Sequence, residues 1–452
     1  MSSLLFENVD TLVTCDDRDS VLHHVNVYCE NGIIRDIGNQ EHPADTIIDA
    51  SRMWMYPGLI NTHHHLYQYF TRNLPQVQNM ELFDWLKTLY EIWKRIDEDT
   101  VRLSSLAGMG ELMRYGCTTC FDHHYVFPRN ASGQLIDAQF AAASELGIRM
   151  HASRGSMSLS KKDGGLPPDS VVQDVDEILN DSLRLIETYH DASPYSMRQV
   201  ALAPCSPFSV TADLMKESAI LARSKGVRLH THLCETRDEE CYTLSKVNMR
   251  PYDYMEQLGW TGSDVWYAHG IHFNDEELSR MAQSQTGVAH CPCSNMKLSS
   301  GVCRVPDMLR QDIPLGLAVD GSASNDSSNL IEEMRTAYLL HRLTWGADAP
   351  SGYAILKMAT RGSAHLLGRE KLGQISVGCA ADAFLIRFDR PELLGTHLDP
   401  KSVFGTIGLH RPADYVMVNG KITVKDGSLT DIDEERLYRD GCANIEKILE
   451  TL

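Results

Sequence analysis

A chain of 452 residues, 43% apolar and 23% charged, holds enough material for a large buried core and more than one structural unit. Its formal charge of −19 argues against an electrostatic grip on nucleic acid or an anionic membrane and suits a neutral or cationic small substrate. With no basic N-terminal segment leading into an apolar stretch, and no run of about 18 apolar residues, a cytoplasmic protein is expected, one that neither enters nor coats a membrane.

Residues 1–56 read as short strands joined by turns, with alternation at Val9–Val13 and Val25–Cys29 and a turn signal at Glu30-Asn31-Gly32. From Pro57 onward short apolar runs recur between longer helical patterns. Strands are expected at 57–62, 117–122, 147–153, 199–205, 227–233, 264–269, 286–291 and 314–320. Helices are expected at 100–115, 137–146, 170–191, 211–225, 251–258, 275–284 and 302–311. Eight strands alternating with helices predict an α/β chain built on a (β/α)8 TIM barrel over residues 57–365. After residue 370 the texture is β-rich again (Ala381–Ile386, Tyr415–Lys421), and the two chain ends, 1–56 and 366–452, are expected to join in one small β-sandwich, the latter closing with a helix. Residues 66–99 are long for a βα loop and rich in aromatics; most of these rings read as a core stripe, with one or two available to cover a flat substrate.

Polar residues gather at the predicted strand ends, where barrel enzymes keep their chemistry. In Asn61-Thr62-His63-His64-His65, alternation aims His63 and His65 to one side and His64 away. The fifth strand carries His230 and His232 on one face, which spacing alone does not separate, and Glu235 follows. The sixth ends in His269 and the eighth in Asp320-Gly321. Singly, each has a bland reading: a satisfied histidine, a turn aspartate, a solvated glutamate. Jointly they form the imidazole and carboxylate set of a hydrolytic zinc or iron site with an open position for water. Cys117 and Cys120 lack a second pair to complete a thiolate zinc site, and the twelve cysteines read mainly as buried thiols.

Pro57-Gly58-Leu59-Ile60-Asn61-Thr62-His63-His64-His65, His232-Leu233-Cys234-Glu235, Ala268-His269-Gly270 and Asp320-Gly321 together resemble the amidohydrolase superfamily, in its branch of cytosine and guanine deaminases and triazine hydrolases. Gly155–Leu159, Asp163–Val171, Ala203–Phe208 and Asp320–Asp326 are similar to the 8-oxoguanine deaminases within it. The resemblance implies one divalent metal, zinc or alternatively iron(II), on His63, His65, His232 and Asp320. It further implies Glu235 as proton carrier and His269 beside the attacking water. No lysine stands at the fourth strand end to bridge a second metal. Where many relatives carry a histidine after that strand, this chain has Cys205, so substrate contacts there differ.

The expected reaction is hydrolytic deamination of an aminated purine-like ring, 8-oxoguanine to urate and ammonia. The expected roles are Glu235 as acid and base, Asp320 as ligand and acceptor of the water's proton, and His269 orienting that water. Gln68, Trp85, Arg154 and Cys205 are the expected substrate contacts. Arg154 reads equally well as a structural ion pair, and Trp85 as helix packing. An s-triazine amino- or chlorohydrolase is the alternative within the branch; an inactive metal-binding scaffold is a third reading, disfavoured because the ligand set is complete. The partner is a nucleobase-like small molecule, with homo-oligomer formation left open.

Overall fold

Gly58 is the point where the chain leaves one sheet for another in the computed structural model, which describes residues 3–129, 131 and 133–450. Before it come β1 (Ser3–Val13), β2 (Val21–Glu30), β3 (Ile33–Gly38), β4 (Thr46–Asp49) and β5 (Met53–Pro57). Directly after it β6 (Leu59–Asn61) opens the barrel. A Cβ on residue 58 would lie 2.1 Å from Thr118 Oγ1, so the crossing needs glycine. The strand expected at 57–62 is thereby cut: Pro57 pairs with Ala383 in the other sheet.

The barrel continues with β7 (Cys117–Asp122), β8 (Arg149–Ser156), β9 (Arg198–Pro204), β10 (Leu229–Leu233), β11 (Val265–His269), β12 (Gly287–His290) and β13 (Leu315–Leu317). The eight strands pair in chain order, all parallel. The first and last meet through Thr62, whose amide and hydroxyl both donate to the Leu317 carbonyl, at 3.4 and 3.0 Å. The Asp320 amide donates to the His63 carbonyl at 3.1 Å. Each expected helical stretch holds a helix, although the one expected at 170–191 begins only at Val175. Helices outside the expected stretches include Arg237–Val247 and Leu330–Trp345. The former buries only Glu239 and Thr243, so it has no apolar stripe to announce it.

The remaining strands, β14 (Ala383–Arg387), β15 (Tyr415–Val418), β16 (Lys421–Lys425) and β17 (Ser428–Leu429), extend the first five into a nine-stranded, largely antiparallel sheet. The join is β14 against β5, Ala383↔Pro57 to Arg387↔Met53. The early half of β1 pairs with β4 and its late half with β5, so the sheet folds over an apolar cluster of its own that includes Phe6, Val27, Ile34, Met55, Leu385 and Met417. The expected β-unit from both chain ends is this sheet. Among the described residues no helix is long and apolar enough to cross a membrane.

Candidate active site

Three strand ends of the barrel leave in the left-handed region: Cys234 after β10 (φ 54°), His269 at the end of β11 (φ 73°) and Asp320 after β13 (φ 64°). None is glycine, and such backbone strain persists only where the surroundings over-determine it, as they do at functional sites. The turns point buried polar side chains into one space at the strand C-termini.

The histidines are oriented by their far ring nitrogens. Nδ1–H of His65 donates to the His123 carbonyl and Nδ1–H of His232 to the Cys205 carbonyl, both at 2.6 Å. His230 donates Nδ1–H to the Trp266 carbonyl at 2.9 Å, which leaves its Nε2 to accept from His63 Nδ1–H at 2.8 Å. With Nδ1 as the donor in the rings of His63, His65 and His232, it is Nε2 of each that is left facing the site. Those nitrogens converge. His65 Nε2 lies 3.1 Å from His232 Nε2. Asp320 Oδ1 lies 3.2 Å from His63 Nε2 and 3.3 Å from His65 Nε2. Burial pushes His63 well below the ordinary histidine pKa and His232 down to about 3, so both rings are neutral. Burial alone would neutralise Asp320, but the adjoining rings of His63 and His65 hold its carboxyl well below the usual range. Four acceptors facing one another, the buried His63 Nε2 without a hydrogen-bond partner, form an arrangement that a cation relieves. Nitrogen and oxygen donors of this kind fit a zinc- or iron-type ion.

The other oxygen of Asp320 faces the open side. Ser294 Oγ and Ser324 Oγ donate to Oδ2 at 2.6 and 3.2 Å. His269 Nε2 stands 3.9 Å from Oδ2 and 3.5 Å from Glu235 Oε2, and its Nδ1–H donates to Asn295 Oδ1 at 2.8 Å. Ser300 Oγ donates to Glu235 Oε1 at 3.3 Å. Burial raises the Glu235 pKa above the usual carboxylate value. For His269 burial works against the charged ring, but Glu235 and Asp320 outweigh it and its pKa is raised. Glu235 and His269 thus form a buried pair suited to holding and passing a proton.

A cleft of about 370 Å³, mouth included, adjoins this group and is lined by Gln68, Trp85, Tyr125, Cys205, Phe208 and Leu298 together with His65, His232, Glu235, His269, Asp320 and Ser324. Gln68 Oε1 and Trp85 Nε1 are buried without hydrogen-bond partners. Trp85 also packs edge-to-face on Trp93, as the helix-packing reading of its ring expects. Arg154 is not brought to the cleft. Its guanidinium is taken by Asp181 at 2.5 Å and Gln173 at 2.9 Å and lies 3.7 Å over the Phe127 ring, which is the ion-pair reading and corrects the expected substrate contact. His64 is buried on the far side, its Nε2 on Ser328 Oγ at 2.9 Å. Asp326 accepts from the Asn73 amide at 2.8 Å, and Asn329 caps the helix Leu330–Trp345.

Some residues escaped sequence reasoning. His123, just past β7, stacks on His232 with ring centroids 4.8 Å apart and belongs to a buried group with His63, His65 and His232, its Nε2–H donated to the Ala203 carbonyl at 2.7 Å. It stands at a strand end like the others and was legible by the same rule. Ser294, Asn295 and Ser300 come from a short helix and loop after β12, with no signal in sequence. Cys117 Sγ is turned to the Thr119 carbonyl at 3.2 Å.

The amidohydrolase family profile matches residues 54–423. The chain is 47% identical over 404 residues to the 8-oxoguanine deaminase of Pseudomonas aeruginosa, covering 89% of each. It is 38% identical over 456 residues to the hydroxydechloroatrazine ethylaminohydrolase of Pseudomonas sp. (strain ADP), covering 97% of this chain and 94% of that one. Among solved structures, the zinc complex of atrazine chlorohydrolase from Arthrobacter aurescens TC1 superposes with a TM-score of 0.94 at 33% identity, over 98% of this chain and all of that one. Strand-end histidines, a strand-end aspartate and a sequence match across most of the chain agree: the chain belongs to the amidohydrolase family.

Proposed function

We propose that this chain is a metal-dependent aminohydrolase that converts 8-oxoguanine and water to urate and ammonia. The observation that carries the reading is the convergence of His63 and His65 Nε2 on Asp320 Oδ1 and of His232 Nε2 on His65 Nε2, with the Glu235 and His269 pair beside them on the cleft. The 47% identity to an 8-oxoguanine deaminase narrows the substrate. His63, His65, His232 and Asp320 would hold one divalent metal, zinc by preference over iron(II). Bound there, the metal would lower the pKa of water toward ~7 and supply a nucleophile at neutral pH.

The chain's own residues do the rest. Asp320 Oδ2, steadied by Ser294 and Ser324, takes a proton from the attacking water. His269, fixed by Asn295, orients that water. Glu235 protonates the ring nitrogen beside the amino-bearing carbon, making that carbon electrophilic; the carboxylate left behind then takes the proton of the added hydroxyl as the new carbonyl forms and passes it to the departing amine, and the proton held by Asp320 restores the acid. A glutamate that is not a ligand plays the same part in zinc nucleobase deaminases of unrelated fold. Gln68 and Trp85, each with a buried unpartnered polar atom on the cleft, read the edge of the ring, and Cys205 lines the same cleft.

Ammonia release measured against 8-oxoguanine, guanine, isoguanine, cytosine and hydroxyatrazine tests the reading. The expected result is fastest turnover of 8-oxoguanine; release only from the triazine would move the chain to the aminohydrolases of that ring, and release from no purine would sink the proposal. Glu235→Gln is expected to lower kcat about 10²- to 10⁴-fold with metal content unchanged. Wild-type turnover in that variant would remove Glu235 from the mechanism.

A further inference from the structure

Glu239 is a buried acid that the reaction above does not use. It sits at the third position of the helix Arg237–Val247, whose first turn is capped by Thr236. Its side chain is 1% exposed, and among the described residues no lysine, arginine or histidine pairs with it. Instead each carboxylate oxygen accepts one backbone N–H: Oε1 from Cys234 at 3.1 Å and Oε2 from Glu235 at 3.0 Å. Burial raises its pKa to about 8. A buried carboxylate without a cation is costly, and a neutral side chain could satisfy a capping N–H more cheaply.

What Glu239 holds is the strained turn that presents Glu235. Cys234 is left-handed at φ 54°, a conformation a non-glycine residue keeps only under constraint. The same turn is gripped from the other side, because the Cys234 carbonyl accepts the amides of Ile271 and His272, both at 2.9 Å, and the Leu233 carbonyl accepts that of Gly270 at 3.2 Å. Those three residues directly follow His269. The peptides on either side of Cys234 therefore lock the Glu235 turn to the His269 turn, and Glu239 supplies the side-chain half of the lock.

We infer that Glu239 is a positioning residue that fixes the backbone under Glu235 and so sets its distance to His269 and the substrate. The inference rests on the proposed role of Glu235. Only a carboxyl group offers an oxygen to each amide: glutamine has one acceptor oxygen and would turn its NH2 against the second N–H. Glutamate and glutamine have the same length, so Glu239→Gln removes one anchor without opening a cavity.

The test compares Glu239→Gln, Glu239→Asp, Glu235→Gln and the double variant Glu235→Gln/Glu239→Gln, each measured for bound metal, thermal midpoint, and kcat and KM on 8-oxoguanine. Glu239→Gln is expected to keep wild-type metal content and a KM within about threefold while kcat falls by about tenfold or more. Glu239→Asp, which keeps both acceptor oxygens at shorter reach, is expected to fall between it and the wild type and covers the case in which the glutamine variant does not fold. The double variant is expected to be no slower than Glu235→Gln alone, since a residue that acts through Glu235 has nothing left to act on. Wild-type kcat in both Glu239 variants, or full additivity in the double variant, overturns the inference. So does a kcat loss that merely follows metal loss. Wild-type turnover in Glu235→Gln overturns the role of Glu235 itself, which separates the two failures.

Discussion

A metal-binding histidine needs a partner on its far nitrogen, and the three histidines proposed as ligands have partners of two kinds. His65 and His232 use backbone carbonyls, which strand geometry supplies wherever the side chain stands. His63 uses another side chain, His230, itself oriented by the Trp266 carbonyl. Replacing His230 by alanine removes the acceptor for His63 Nδ1–H, so the ring is no longer held with Nε2 free. Metal affinity is then expected to fall by about 10- to 100-fold, the usual effect of losing such an outer partner, as read by competition with a chelator. His63→Ala is expected to lose the metal outright and His64→Ala to keep it, because His64 faces Ser328. Strand alternation was enough to separate His63 and His65 from His64. It was not enough to separate His230 from His232, which share a face and differ only in depth: His230 reaches sideways to His63, and His232 stands one pleat nearer the mouth. That distinction depends on Trp266 and Cys205, residues far away in the chain, and is invisible to spacing.

The elements that shape the cleft meet as turns against turns. The 3-10 segment Leu66–Thr71 carries Gln68 over the turn that follows Asp320, and a Cβ on Gly321 would lie 1.9 Å from Gln68 Oε1. Residue 321 has φ −69°, which alanine adopts without strain, so Gly321→Ala acts through Gln68 and not through the backbone. With Gln68 displaced, the substrate loses one neutral hydrogen bond of about 1 kcal/mol, and KM is expected to rise roughly fivefold while metal content stays constant. Steady-state kinetics with metal analysis checks this; an unchanged KM would remove Gln68 from substrate recognition. The aromatic segment 66–99 was legible as an insertion because its length breaks the βα rhythm. Trp85 is buried on the cleft wall, while Tyr90 and Trp93 are packed in the core behind it. The helix Arg237–Val247 went unseen for the opposite reason. Its buried face consists of Glu239 and Thr243, so it lacks the apolar period by which a helix is recognised.

On the scale of the molecule, the barrel and the nine-stranded sheet share an apolar cluster that includes Trp54, Tyr56, Phe384 and Val416, and a buried ion pair at the end opposite the site ties them further. Arg149, at the start of β8, donates Nε–H and Nη2–H to the two oxygens of Asp382 at 2.7 and 3.2 Å, reaches Asn419 Oδ1 at 3.1 Å, and gives its remaining nitrogen to the Tyr195 and Ser196 carbonyls. Asp382 stands directly before β14 and also accepts the Asn419 amide at 2.6 Å, so one carboxylate ties a barrel strand to two strands of the other sheet. Nothing at either position marks the pairing in sequence, because the residues are 233 apart and each type is ordinary on a surface. The barrel rhythm and the β-rich ends were readable since they are local patterns; the ion pair that ties them is not local. A buried pair contributes little over a well-packed apolar substitute, yet breaking it leaves an uncompensated charge. Arg149→Met is therefore expected to destabilise the protein by about 3–5 kcal/mol, seen as a lower thermal midpoint and a lower urea midpoint. Arg149→Met/Asp382→Asn removes both charges while keeping an acceptor for the Asn419 amide, and is expected to recover part of that loss. If the double variant is instead as unstable as the single one, the cost lies in the lost bonds to Tyr195, Ser196 and Asn419, and Arg149 acts as a backbone anchor whose charge is incidental.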